Sequence, residues 1–537
     1  MDSQDYSSKT LDHLGLVAGM CQEIGISEVI DQYCWSDSPD QMVSTGKALE
    51  AMILNGLGFV NKRLYLIPHF FRDKPVELLL GPGIEAEHLN DDRLGRALDQ
   101  LYDTGLTTLF AHLSRRTFEV LDYQVGQGHL DTTTLSVHGR YNSAQEEVTD
   151  LHITQGYSKD NRPDLPQVTL QLICEHLSGI PVHMEVLNGN SSDSESFRQT
   201  IQTFGAQLYS EDGLRTIVAD SKLYSEATLK ILQDSRLNWI CRVPGTLEAV
   251  KEVLEEIKPA DLEPLEQDGY RSVCYTCDYA GVDQHWVVYH SDRAMERESQ
   301  TLTRRQKKEA QQAQKSLRKL GRQQFHCQED AQAATLEWQQ QWKWHRLKNI
   351  QIKTHKKYGQ AGRPDTSSTP DIHYTIEANL EVDQARWDEQ VFKRSLFVLA
   401  TNQTLDHLED EEALLRTYKE QQSVERGFRF IKDPNVVASS FFVKKPERVA
   451  ALLFVMTSCL LVYSALEYRI RQALKTEKET IPDQKGKPTQ RPTARWVFQL
   501  FVGIHLLQLP DGKKLVLNLK EEHRNILALL SYWNFYS

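Results

Sequence analysis

The N-terminus, MDSQDYSSKT, lacks a basic stretch followed by an apolar run, so a secretory leader is not expected. Cysteine is scarce. Eight residues are scattered through 537 with no framework spacing, which argues against a disulfide scaffold and fits a reducing, cytosolic compartment. Long apolar runs are almost missing. Only Val449–Leu466, 18 residues without a charge, reaches the lower limit of a membrane span. It contains Thr457, Ser458, Cys459, Tyr463 and Ser464 and has no companion elsewhere, so a buried core helix is expected and no membrane role. Internal repeats are not visible. Nor is there an excess of positive charge. The net charge is −12, which by itself speaks against a polyanionic partner, although phosphate binding depends on local patches.

Such patches are present. Arg304–Arg322 holds eight Lys or Arg and one acid, Glu309, and Lys343–Arg363 holds seven and no acid. With 40% hydrophobic and 25% charged residues, the chain reads as globular, with about three or four domains at roughly 100–200 residues each.

The expected fold is α/β, a mixed-sheet core with a helical N-terminal domain and an inserted α+β subdomain. Residues 1–125 read as helical. GKALEAMILNGLGFV has a helical period, and in HLNDDRLGRALDQLYDTG either Asn90 or Asp91 can cap and Gly105 can terminate. This domain either contacts DNA or simply packs. Residues 126–243 alternate: three strands, a helix, a strand, a helix, a strand. Residues 244–405 interrupt them with strand-like runs, a long polar helical stretch from Arg297 to about Trp344, and a loop from Tyr358 to Pro370. Residues 406–470 complete the core with a helix over about Asp410–Lys432, ended by Pro434, and the apolar helix. Residues 471–537 read as a helical tail.

Three carboxylates stand out by position. Asp131 sits in the first strand of the α/β region and Asp220 ends a buried strand, IVAD. Ligand groups gather outside the carboxyl ends of such strands. Glu425 lies on the helix over 410–432. Hard cations take oxygen ligands and keep waters, so few carboxylates suffice. Yet 74 acidic residues will always place some near element ends. Tyr418, Glu425 and Lys432 are spaced by seven, which puts them on one face of a continuous helix, with Gln421 on the same side and Arg426 and Arg429 beside it for phosphate contacts.

The segments DTTTLSVHG, GYSKDNRPDLPQVTLQL, IPVHMEVLNGNSSD, IVADSKLYS and YKEQQSVERGFRFIKDP, in this order, resemble bacterial insertion-sequence transposases of the DDE type over about residues 10–470. The resemblance implies a ribonuclease H-like core and a strand-rich insertion between the second Asp and the Glu. It also implies a signature helix of Tyr, two residues, Arg, three residues, Glu, six residues, Lys. Asp131, Asp220 and Glu425 then match the metal ligands, and Tyr418 and Lys432 match the signature. Gln421 stands where the signature has Arg, losing a charge and a bidentate fork.

The resemblance further implies two Mg²⁺ ions, replaceable by Mn²⁺. The reaction would be hydrolysis at transposon ends followed by attack of the 3′-hydroxyl on target DNA. The expected partners are terminal inverted repeats, target DNA and a second copy of the chain in the DNA complex, at the nucleoid in the cytoplasm. The alternatives are a ribonuclease H-like nuclease without strand transfer and a non-catalytic DNA-binding derivative. In the insertion, Trp342 and Trp344 stand among basic residues, which suggests stacking of a displaced base or, alternatively, helix packing. Cys274 and Cys277 have no second pair and read as structural. Asp160, Asp164 and Asp193 are the reserve carboxylates, Asp193 as a helix cap. His138 reads as an exposed strand-end residue.

Overall fold

The computed structural model describes residues 7–34, 42–59, 64–137, 151–358, 370–403, 410–433, 443 and 445–537. His138, Pro434 and residues 359–369 of the expected loop lie outside the described residues. A short strand, β1 (Ser7–Thr10), precedes the helices that run from Leu14–Ile24 to Leu106–Val120. Their ends follow from local chemistry. The Ser44 side chain accepts from the Lys47 N–H and the Asn90 side chain from the Arg93 N–H, each satisfying an orphan donor of the first turn. Gly25, at φ 76°, closes the first helix with its own N–H on the carbonyls of Cys21 and Gln22.

The α/β region follows the expected order: β2 (Gln127–Ser136), β3 (Gln167–Glu175), β4 (Pro181–Leu187), helix Asp193–Ser210, β5 (Thr216–Ala219), helix Glu226–Asp234 and β6 (Asn238–Arg242). β2, β3 and β4 are antiparallel neighbours, while β2, β5 and β6 run parallel. Every residue of β3 is buried. That strand is therefore covered on both faces, its polar Gln167, Thr169 and Gln171 included.

The insertion shares strands with the core sheet. After helix Glu248–Glu256 come β7 (Glu263–Pro264), β8 (Tyr270–Tyr279) and β9 (Val282–Ser291). Two helices follow, Asp292–Leu320 and Gln328–Gln340, then a two-stranded ladder, β10 (His345–Lys357) with β11 (Asp371–Val382). Helix Gln384–Ser395 leads to β12 (Leu396–Thr401). β12 pairs with both β6 and β9, so the strands form one nine-stranded sheet in the order β4-β3-β2-β5-β6-β12-β9-β8-β7. The two polar helices and the β10–β11 ladder build a small core around Leu317, Trp338, Leu347 and Ile376, and Leu302, Trp344 and Val391 form another. The expected single helix to Trp344 is broken at residues 321–327, where the Cys327 Sγ accepts from the Asp330 N–H and starts the second helix.

Helix Pro446–Thr476 is the core helix the sequence suggested: 89% of its apolar window is buried. It packs against the N-terminal helices and β4. A bidentate Arg448–Asp99 pair, 2.7 Å on each arm, ties it to helix Asp91–Thr104. The tail corrects the helical expectation. It holds β13 (Ile481–Pro482), β14 (Pro488–Thr489), helix Ala494–Leu500, β15 (His505–Gln508), β16 (Lys514–Leu517) and helix Glu521–Leu530. β15 lies between β1 and β16, and the Tyr536 hydroxyl donates to the Asp12 carbonyl at 2.6 Å, so the tail closes over the first helix.

Candidate active site

Asp131 and Asp220 come together through strand register. In the parallel β2–β5 pair, Leu130 faces Ala219, so Asp131 and Asp220 are the next residues on adjacent strands, at the carboxyl end of β5. Burial pushes the Asp131 carboxyl up to about 6. The Lys159 ammonium and the Thr132 N–H pull it back, and Asp220 and Asp193 press it further up. Asp220 is likewise raised by burial, against its hydrogen bond from the Lys222 N–H at 2.8 Å. Two carboxylates held together against burial and mutual repulsion favour a cation between them.

The loops around this pair are strapped to the sheet. The side-chain amide of Gln167, in β3, donates to the carbonyls of Gly189 and Tyr157 at 2.7 and 3.1 Å. A Cβ on Gly156 would collide with the Gly189 carbonyl, and one on Gly189 with the Gln167 carbonyl. Only glycines allow the GYSKD and NGNSSD segments to cross this closely. The crossing brings Lys159 and Asp193 over β2. The Lys159 ammonium donates to the Thr132 carbonyl and hydroxyl, both at 2.7 Å, and lies 3.6 Å from Asp131 and 3.4 Å from Asp193. The Thr132 hydroxyl donates to Asp193 at 2.6 Å. Asp193 therefore belongs to the site and does not cap its helix. Ser192 is the N-cap residue, without a side-chain cap bond. Lys159 and Thr132 were missed as functional residues. The available signal was a lysine beside reserve carboxylates in a glycine-bounded motif.

The expected continuous helix 410–432 is two helices, Glu411–Lys419 and Gln422–Ile431, interrupted at Glu420 and Gln421. The seven-residue arithmetic therefore does not carry Tyr418 onto the face of Glu425. Tyr418 packs instead with Val218, Ile240 and Leu399 on the sheet. Burial pushes its hydroxyl up to about 12, with Arg242 opposing the shift and Asp220 and Asp131 adding to it, so the ring borders the carboxylate pair. The second helix buries Val424, Phe428 and Ile431, with Gly427 close to Leu460 and Cys174. Glu425, Arg426 and Arg429 are exposed, and Gln421 is half-buried at the break. Lys432 bonds Asp160 at 2.6 Å. At the break itself, Glu420 bonds His176 at 2.5 Å, and His176 bonds the buried His129 at 2.9 Å.

Among the described residues, no group of three or more His, Cys, Asp or Glu converges closely enough to hold a metal ion. Asp131 and Asp220 fit a hard divalent cation by donor chemistry and by the ammonium already lodged beside Asp131. Glu425 is not gathered with them. The expected base-stacking tryptophans are packing residues in this arrangement. Trp344 is 7% exposed in a cluster with Leu302, Val391 and Trp387, and Trp342 lies against Trp338, ring centroids 5.4 Å apart. Asp164 pairs with Arg162 at the surface.

The family described as "Transposase DDE domain" matches residues 128–462, and a domain of unknown function (DUF4277) matches residues 6–115. No curated protein matches the chain. Among solved structures, a piggyBac transposase synaptic complex with hairpin DNA is similar at 9% identity with a TM-score of 0.39, covering 99% of this chain and 88% of that one.

Proposed function

The chain belongs to the transposases with a DDE domain and is a DNA transposase; from that premise we propose that Asp131 and Asp220 hold the divalent metal on which strand cleavage depends. We further propose that Glu425 completes the ligand set when the signature helix closes on DNA. The observation that carries this reading is the register-matched pair at the sheet end, both carboxylates raised by burial with a lysine ammonium beside them.

When bound, Mg²⁺, as two ions or with Mn²⁺ in its place, supplies charge neutralisation and polarisation at the attacking and leaving oxygens. The rest falls to the chain. β2 and β5 fix the backbone positions of these two residues by hydrogen bonds, so the strands that carry them are in place before DNA binds. Arg242, Arg426, Arg429 and Lys432 form the cationic surround in which a phosphodiester would be positioned, Lys432 once released from Asp160. Water attack on one phosphodiester would leave a 3′-hydroxyl, which then attacks the opposite strand or target DNA. Work at both transposon ends implies a dimer on DNA, acting at the nucleoid.

Cleavage of DNA bearing the element's ends tests this. Wild type should cut with Mg²⁺. Asp131→Ala, Asp220→Ala and Glu425→Ala should bind DNA without cutting. An Asp131→Ala enzyme that cuts normally would sink the assignment. Cutting without joining would favour a nuclease.

A further inference from the structure

The Lys159 ammonium is enclosed by oxygens of the site. Its four neighbours are the Thr132 carbonyl, the Thr132 hydroxyl, Asp131 and Asp193, at 2.7, 2.7, 3.6 and 3.4 Å. That is a carbonyl, a hydroxyl and two carboxylates, the donor types a hard divalent cation selects. The position is built, since several contacts bring the residue there. The Lys159 N–H donates to the Thr134 hydroxyl at 2.9 Å, one pleat further along β2. Gly156 and Gly189 let the two loops cross, and the Gln167 amide clamps both. Next in sequence, Asp160 receives Lys432 from the end of the signature helix. The side chain of Lys159 is 29% exposed and those of Asp131 and Asp193 are 22% and 23% exposed, so solvent ions reach the group.

We infer that Lys159 is an internal counter-cation that holds the place of the divalent metal in the DNA-free enzyme and competes with it for Asp131. A carboxylate cluster this close would otherwise repel itself apart. The ammonium keeps it assembled without metal. Metal entry then exchanges one cation for another, so the measured metal affinity is the difference between the two. Lys159 is thus a positioning residue that sets metal affinity and preserves the empty site. This rests on the reading of Asp131 as a metal ligand.

The test is Mn²⁺ binding to the full-length, DNA-free protein, by calorimetry and by the paramagnetic resonance of free Mn²⁺. Lys159→Met should bind Mn²⁺ about tenfold more tightly than wild type, an ordinary size for coupling between two charges. It should also melt at a lower temperature without metal and regain more on adding Mn²⁺. Lys159→Arg keeps the charge and should bind no more tightly than wild type. Asp131→Asn should lose most of the binding. If Lys159→Met binds Mn²⁺ equally or less tightly while Asp131→Asn loses it, the counter-cation role is wrong and the carboxylate reading survives. If Lys159→Arg binds more tightly, the counter-cation role is likewise wrong, even should the Met variant fail to fold. If Asp131→Asn binds as wild type does, both readings fall.

Discussion

The two halves of the candidate site are held in different ways. Asp131 and Asp220 stand on neighbouring parallel strands, next after the Leu130–Ala219 pair, and every residue below them is fixed by the backbone ladder. Glu425 stands on a ten-residue helix, Gln422–Ile431, separated from the helix before it by a two-residue break. That helix is held by side chains: Val424, Phe428 and Ile431 in the core, the Glu420–His176 bond at one end and Lys432–Asp160 at the other. A sheet delivers its ligands ready placed. A short helix held by two side-chain clasps can shift as a unit when either clasp is exchanged for another partner.

The largest effect that separates the halves is catalytic. Asp131→Ala and Asp220→Ala should each lower end cleavage by about 10³ or more and also abolish Mn²⁺ binding in the absence of DNA. Glu425→Ala should lower cleavage comparably but leave most DNA-free Mn²⁺ binding in place, because Glu425 is not gathered with the pair. Equal loss of DNA-free binding in all three variants would mean that the helix already contributes its ligand, and the contrast would collapse.

The same contrast explains what could be read from residues alone. The strand–helix order of residues 126–243 and the buried helix over Val449–Leu466 were legible because apolar periodicity and turn residues specify them locally. The position of Asp220, directly after a buried strand, was legible because a carboxylate that ends such a strand is a local pattern. Asp193 was taken for a cap, since its contacts with Thr132 and Lys159 arise from a loop crossing that no local pattern encodes. The break at Glu420–Gln421 was hidden by good helical spacing on both sides. The union of β12 with β6 was hidden because pairing across some 150 residues leaves no periodic trace. Trp342 and Trp344, interleaved with lysines, looked open to bases. Their burial depends on Leu302 and Trp338, which lie on other elements.

A smaller effect probes the crossing that completes the sheet half. Gly189→Ala forces a Cβ into the Gln167 carbonyl, backbone against backbone, with no flexible side chain to yield. Such overpacking costs about 1–3 kcal/mol, so in a chain of 537 residues the melting temperature should fall by about 1–3 °C. Because the NGNSSD loop carries Asp193, the variant should also loosen Lys159. An unchanged melting temperature would show that the loops do not cross as described.

The sheet half should also carry a stability cost of its own, readable from pH. The Asp131 carboxyl rises from an ordinary 3.8 to about 6 on folding. A carboxyl raised in this way favours the folded chain only while protonated. Its contribution is whole below about pH 4 and is lost as pH climbs from about 4 to 6. Asp131→Asn removes that loss. Without metal, the variant should be more stable than wild type by about 2 kcal/mol at pH 7, discounted from the full shift because the side chain is partly solvated. The gap should shrink toward zero at pH 4. A gap that widens toward acid would mean that Asp131 is stabilised as the anion and that its environment is the reverse of that described.

The smallest effect concerns the helix half, and it tests whether the clasp at the break does more than pack. Glu420 and His176 lie 2.5 Å apart, and His176 bonds His129, which burial drives down to about 3 and so keeps neutral at physiological pH. The chain of contacts links the break to β2, two residues before Asp131. The Glu420 side chain is 42% exposed, so the bond should contribute little to global stability, on the order of 1 kcal/mol or less. It fixes where the helix carrying Glu425 begins. Glu420→Ala should therefore leave the melting temperature and DNA-free Mn²⁺ affinity close to wild type while lowering cleavage by about five- to tenfold. His176→Phe should do the same, and the double variant should add nothing, as for two partners of one interaction. If the two effects add in full, the residues act separately and the helix is positioned by Val424, Phe428 and Ile431 alone. If Mn²⁺ affinity falls with the cleavage rate, the break communicates with the carboxylate pair through His129, and the two halves are one mechanical unit.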